Sequence, residues 1–102
     1  MDKSLKKAIE IIVDVASPEK IILFGSRTGS KHRKESDYDL LVLKRNVKHT
    51  RKLAQEIYLN FKNIGAPVDV IVADLEKYEV LKTDPYMIYS EAAKNGKVVY
   101  EQ

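Results

Sequence analysis

Ile21-Ile22-Leu23-Phe24-Gly25-Ser26, followed after ten residues by Asp37-Tyr38-Asp39-Leu40-Leu41-Val42-Leu43, is the stretch on which the reading of the fold turns. Residues 21–24 are a short apolar run stopping at a glycine, the pattern of a buried strand that ends in a turn. Gly25 allows a backbone angle or a close approach that a Cβ would block. Ser26 adds a hydroxyl and a backbone N–H where a helix could start, the geometry that receives phosphate. Strand side chains alternate with a period of two, so Asp37 and Asp39 share one face at the head of a second strand. Adjacent carboxylates repel each other unless a cation neutralises them. Mg²⁺, a hard ion that takes oxygen ligands and substrate phosphates, suits such a pair. Reading Ser36-Asp37 as a mere turn or cap leaves Asp39 unexplained, because aspartate is disfavoured inside a strand.

The flanking segments read as an alternation of helices and strands. Leu5, Ala8, Ile9, Ile12, Val13 and Ala16 form one apolar stripe, which predicts an amphipathic helix over 3–16 ended by Ser17-Pro18. In the second strand Leu41 and Leu43 continue the face of the aspartates, while Tyr38, Leu40 and Val42 point the other way. Both faces are apolar, as in a central strand covered on both sides. Leu53, Ala54, Ile57, Tyr58, Phe61 and Ile64 predict a helix over 47–63, stopped near Gly65. Pro67 opens a third strand over 67–72, where Asp69 faces with Ile71 and Ala73. Paired beside the second strand, it would bring a third carboxylate to the first two. Asp74 reads as the N-cap of a short helix, and Asp84-Pro85 as the start of another over 86–94. Asn95-Gly96 ends that helix, and Lys97–Tyr100 reads as a short edge strand. Tyr86, Tyr89 and Tyr100 are expected to pack rather than to stack on a nucleotide.

Taken together, Gly25-Ser26, ten residues and Asp37-x-Asp39, with an acidic third strand at Asp69, resemble the minimal nucleotidyltransferases of the DNA polymerase β-like superfamily. The resemblance covers nearly the whole chain. It implies an α/β fold: a single small nucleotidyltransferase-like domain over 1–102 with a mixed sheet of three or four strands packed with helices. It implies Asp37, Asp39 and Asp69 as catalytic residues and metal ligands, Asp69 being the acid able to take the proton of the attacking hydroxyl. Gly25, Ser26, Arg27 and Ser36 are the matching nucleotide-binding positions. One or two Mg²⁺ ions (Mn²⁺ as substitute) and ATP as substrate complete the expectation. One departure stands out: after Gly-Ser-Arg the relatives usually place a small residue, a variable one and then glycine, whereas here those positions hold Thr28, Gly29 and Ser30, so the glycine comes one residue early.

Composition narrows the alternatives. The 102 residues suit one domain, with 44% hydrophobic residues for a small core. Absence of cysteine excludes a disulfide frame and a thiolate metal site. No apolar run is long enough to span a bilayer, and the N-terminus lacks a secretory core, which leaves the cytoplasm as the expected compartment. His32 and His49 share no metal-ligand spacing and read as surface residues. The net charge is only +3, but residues 27–62 hold ten Lys/Arg against four Asp/Glu, a half that attracts anions such as a nucleoside triphosphate. A nucleic-acid-binding module is the weaker reading, since no aromatic-rich RNA-binding signature accompanies the charge. An Asp-x-Asp phosphatase leaves the Gly-Ser turn unexplained and lacks its usual following threonine. Nothing is left over for a second domain to present an acceptor, so a separate protein is expected to bring it, in a homo- or hetero-oligomer. Stand-alone relatives of this size resemble the antitoxins of toxin–antitoxin pairs, whose partner is a helical HEPN-type ribonuclease; some attach AMP to a tyrosine of it. The rival class is a non-catalytic subunit that neutralises its partner by occlusion.

Overall fold

The apolar stripe of the first helix folds as its spacing dictates. In a computed structural model that describes residues 3–24 and 38–102, α1 spans Lys3–Ala16 and buries Leu5, Ala8, Ile9, Ile12 and Ala16. It is followed by β1 (Lys20–Phe24), β2 (Tyr38–Lys44), α2 (Thr50–Asn60), β3 (Val68–Asp74), α3 (Leu75–Leu81), α4 (Ile88–Asn95) and β4 (Lys97–Glu101). The strands form one sheet in the order β3-β2-β1-β4. β1 is antiparallel to β2 and to β4, whereas β2 and β3 are parallel. Parallel neighbours need a crossover between them, and α2 supplies it. The expected mixed sheet is therefore present, with its fourth strand at an edge.

Two apolar layers sandwich the sheet. On one face Ile21, Leu23, Leu40, Val42, Val70 and Val72 pack under α1 and Ile57 of α2. On the other, Ile22, Phe24, Leu41, Leu43 and Ala73 pack under Leu75 and Tyr78 of α3 and Ala92 of α4. Leu40, Leu41, Val42 and Leu43 are all essentially inaccessible, as the all-apolar run of β2 predicted for a central strand. Each such side chain contributes about 1.5–3 kcal/mol by leaving water. Gly96, between α4 and β4, is a place where only glycine fits: a Cβ there would collide with the Ala92 carbonyl and Ile22 Cγ2.

The element ends differ from the sequence reading in instructive ways. Ser17 stops α1 in a left-handed conformation (φ 46°), donating its N–H to the Val13 carbonyl at 3.0 Å, where avoidance of helical angles before Pro18 had been expected. The helix expected over 47–63 occupies only Thr50–Asn60. Phe61 turns extended, and Asn63 (φ 55°) and Gly65 (φ 90°) carry the chain round to β3. Phe61 and Ile64 still pack on the core from this loop. Their periodic spacing reported burial correctly and helix length wrongly, because a loop crossing the same face can bury the same positions.

The Asp84-Pro85 signal is a turn rather than a helix start. Tyr86 donates its N–H to Asp84 Oδ1 at 2.9 Å and Met87 donates to the Asp84 carbonyl at 3.1 Å, and α4 begins only at Ile88. Tyr89 packs edge-on against Tyr78 with centroids 5.9 Å apart, and Tyr100 rests on the α1 side of the core. Tyr86 does not pack: it is 93% exposed at the tip of the turn, where no apolar neighbour reaches it. Asp74 does precede α3, but its carboxylate accepts the Asn46 N–H at 3.3 Å instead of capping the helix. Among the described residues no helix is long and apolar enough to cross a membrane.

The two sheet edges are finished differently. β4 carries an irregularity opposite Ile21/Ile22, the kind of bulge that spoils an edge for pairing with another strand. β3 is closed from outside by α2, whose Tyr58 hydroxyl accepts the Val70 N–H at 2.6 Å.

Candidate active site

The register of the parallel pair decides where the acids lie. Asp39 is the partner of Asp69, between the pairs Tyr38↔Val68 and Leu40↔Val70. Parallel strands run about 4.8 Å apart, so the two residues stand side by side. Alternation puts Asp39 on the face of Leu41 and Leu43, and Asp69 on that of Ile71 and Ala73, which is one and the same face of the sheet. Asp39 is half-buried and Asp69 exposed. On the other side of Asp39, Phe24, the last described residue of β1, is its antiparallel partner. Phe24 is buried on the same face and supplies an apolar wall beside the carboxylate.

The acids sit at the first residues of β2 and β3, whereas α3 leaves from the last residue of β3. The helix therefore covers the tail of this face rather than its head. Two carboxylates side by side are an arrangement that a cation between them stabilises. An all-oxygen donor set, one half-buried and one open, fits a hard divalent ion that retains positions for substrate oxygens. Among the described residues no group of three potential ligands assembles. Asp37, the third acid of the expected set, lies outside the described residues, as do Gly25, Ser26, Arg27 and Ser36. Of the predicted site residues the structure thus describes Asp39 and Asp69, and brings them together.

An open groove of about 640 Å³ lies at the other end of β3. Val72, Ala73 and Asp74 form its floor, and Val80, Lys77 and Tyr89 are among its walls. It holds neither candidate acid. Its charged lining is mixed, and its acids come from the strand end and α3 with lysines interleaved, so it offers no site for concentrating multivalent cations. Cavity size and chemistry disagree here, and the chemistry is the better guide. Basic side chains near the start of α2 are partly committed within the chain: Lys44 donates to the Ser17 carbonyl at 3.2 Å and Arg45 pairs with Glu76 at 3.7 Å. His49 stands at the N-cap of α2 and makes no side-chain capping bond.

Sequence reasoning placed Tyr58 only in an apolar stripe. Its hydroxyl reaches the residue next to Asp69, a contact between a helix and an edge strand that no local spacing signals. Phe24 was likewise read only as strand core, and its place beside Asp39 follows from the register.

Residues 6–102 match the family described as Polymerase beta, Nucleotidyltransferase. The chain belongs to this nucleotidyltransferase family. Solved structures agree on the fold. A chain of a toxin–antitoxin complex with AMP-PNP shares 24% identity at a TM-score of 0.60, over 95% of this chain and 73% of that one. A candidate nucleotidyltransferase from Sulfolobus solfataricus is 19% identical with a TM-score of 0.62, over 100% and 90%. A chain of the complex between a tri-AMPylated Shewanella oneidensis HEPN toxin and its MNT antitoxin is 20% identical with a TM-score of 0.56, over 97% and 71%. No curated protein matches the sequence.

Proposed function

We propose that this nucleotidyltransferase moves AMP from ATP to a tyrosine hydroxyl of a helical HEPN-type toxin, acting as that toxin's antitoxin in the cytoplasm, with residues 1–102 working as one catalytic domain. The observation that carries the reading is the Asp39–Asp69 pair, side by side at the head of the parallel strands β2 and β3. Support for the partner and the transferred group comes from solved relatives, one a tri-AMPylated HEPN toxin in complex with its MNT antitoxin and one a toxin–antitoxin with AMP-PNP.

The reaction balances simply. The phenolic oxygen of the acceptor attacks the α-phosphorus, a P–O bond forms, the bond from the α-phosphorus to the bridging oxygen breaks, and pyrophosphate leaves. Asp37, Asp39 and Asp69 would hold one or two Mg²⁺ ions, which when bound neutralise the charge that builds on the entering and leaving oxygens. Asp69, exposed at the edge, is the carboxylate that takes the phenolic proton. Asp39, half-buried against Phe24, holds its place without access to bulk acceptor. Gly25, Ser26, Arg27 and Ser36 would receive the triphosphate through N–H, hydroxyl and guanidinium donors. Most of the rate enhancement then comes from positioning and charge neutralisation.

Intact-mass spectrometry of the chain with its HEPN-type partner, ATP and Mg²⁺ tests the proposal. A partner heavier by one or more AMP units, and unchanged with the Asp37→Asn/Asp39→Asn variant, is the expected result. Stable association without any mass change would replace it with neutralisation by occlusion.

A further inference from the structure

We infer that Tyr58 is a positioning residue for Asp69, which deepens the reading of Asp69 given above and rests on it. Asp69 has a precarious location. It is the second residue of an edge strand, entered from a loop in which Asn63 and Gly65 both take positive φ. On its inner side the strand is held by β2, starting with the Tyr38 N–H donated to the Pro67 carbonyl at 3.0 Å. A parallel ladder alternates, so residues 67, 69 and 71 direct their polar backbone groups toward β2, and 68, 70 and 72 direct theirs outward.

Tyr58 meets the outward groups of the residue that follows the acid. Its hydroxyl accepts the Val70 N–H at 2.6 Å and donates toward the Val70 carbonyl at 3.4 Å. One side chain on α2 thus serves both polar groups of Val70 and clamps the strand from outside, one peptide away from Asp69. The ring is held separately: it stands edge-on to Phe61, centroids 5.9 Å apart at 88°, and Phe61 packs on the core. Filling space beside the core therefore needs only the ring, and a phenylalanine would do that. Among the described residues the hydroxyl finds its partners in the backbone of β3.

The consequence for chemistry is a matter of tolerance. A carboxylate that must reach both a metal-bound substrate and an acceptor proton loses on the order of a hundredfold in rate when misplaced by about 1 Å. β2 fixes one side of the strand, and without Tyr58 the outer side at Val70 has only water to bond. Asp69 would then sample a wider range of positions, while Asp39, in the central strand between β1 and β3, would stay in place.

The test compares Tyr58→Phe with the wild-type chain. Amide hydrogen exchange, measured without nucleotide, should show the Val70 amide exchanging faster in the variant, with the melting temperature nearly unchanged. In transfer assays with the HEPN-type partner, kcat should fall roughly tenfold while KM for ATP stays within about twofold, and the MgCl2 concentration for half-maximal rate should rise. Faster Val70 exchange with kcat and MgCl2 dependence unchanged would overturn the inference and leave Tyr58 as an edge cap only. Unchanged Val70 exchange would overturn it by removing the bond itself. Were the wild-type chain to transfer nothing, the activity reading and this inference would fall together, whereas an active wild type with an equally active variant would sink the inference alone.

Discussion

The parallel pair of β2 and β3 presents the same face at both ends, yet the two ends are built from opposite materials. At the head Asp39, half-buried, lies beside the exposed Asp69. At the tail Leu43 lies beside Ala73, both buried beneath α3. A single ladder therefore changes from site to core within four residues. The tail anchors the strands by burial, and that anchoring holds the costly juxtaposition at the head. Stability and function should then separate cleanly along the strands.

Asp39→Asn is the most damaging change for function. It removes a carboxylate from the head, and loss of a ligand for the bound metal is expected to cost on the order of a thousandfold in transfer rate. Folding should suffer little, since asparagine keeps the size of the half-buried aspartate and the buried anchoring of the strand lies at the tail. Rate assays on the partner combined with urea unfolding check both halves. A variant both inactive and strongly destabilised would break the separation.

Leu43→Ala reverses the pattern at the tail. Truncating a fully buried leucine costs about 2–5 kcal/mol, read as a lower urea midpoint. Measured well below its melting temperature, the folded variant should retain its rate. Removal of metal gives the third and smaller effect. On the proposed reading Mg²⁺ would bind the folded head and not the unfolded chain, and would then stabilise the wild type by about 2.7 kcal/mol at a hundred times its dissociation constant. EDTA should abolish that gain, and Asp39→Asn should never show it. An equal Mg²⁺ effect in both proteins would move the cation elsewhere.

The head was more legible in the sequence than the tail. Asp39 and Asp69 announce themselves because carboxylates inside apolar strands violate local preference, and a violation is informative. Their adjacency still needed the register of a parallel pair, which no local spacing encodes. The central position of β2 was legible too, from residues apolar on both faces. Helix boundaries were legible for α1, which spans the expected 3–16, but not further on: Phe61 and Ile64 keep the helical spacing while lying in a loop, and Asp84-Pro85 makes a turn that ends before α4 begins. Tyr58 shows the same limit at the site. Its position in the stripe of α2 could be read, but its bond to Val70 depends on where the crossover lays the helix over the strand.

The weakest expected effect concerns the wall of the groove at the tail. On α3, Lys82 donates to Glu79 at 2.7 Å, and this bond holds the Glu79 carboxyl below its usual range. A carboxylate with a lowered folded pKa contributes its stability above the unfolded value and loses it as pH falls through the folded value. The contribution is therefore full at neutral pH and gone in acid. Glu79 lies near the end of α3 and Lys82 at its C-cap, both largely solvated, so screening keeps the pair's contribution small. Glu79→Gln should lower stability by that small amount at pH 7 in low salt and by nothing measurable at pH 2. The difference should shrink as salt rises. Meanwhile Leu75 and Tyr78, buried on the inner side of the same helix, keep α3 on the sheet at either pH. A large loss of stability on this substitution at pH 7, absent at pH 2, would mean that charge, not burial, fastens the tail, and would undo the contrast between the two ends.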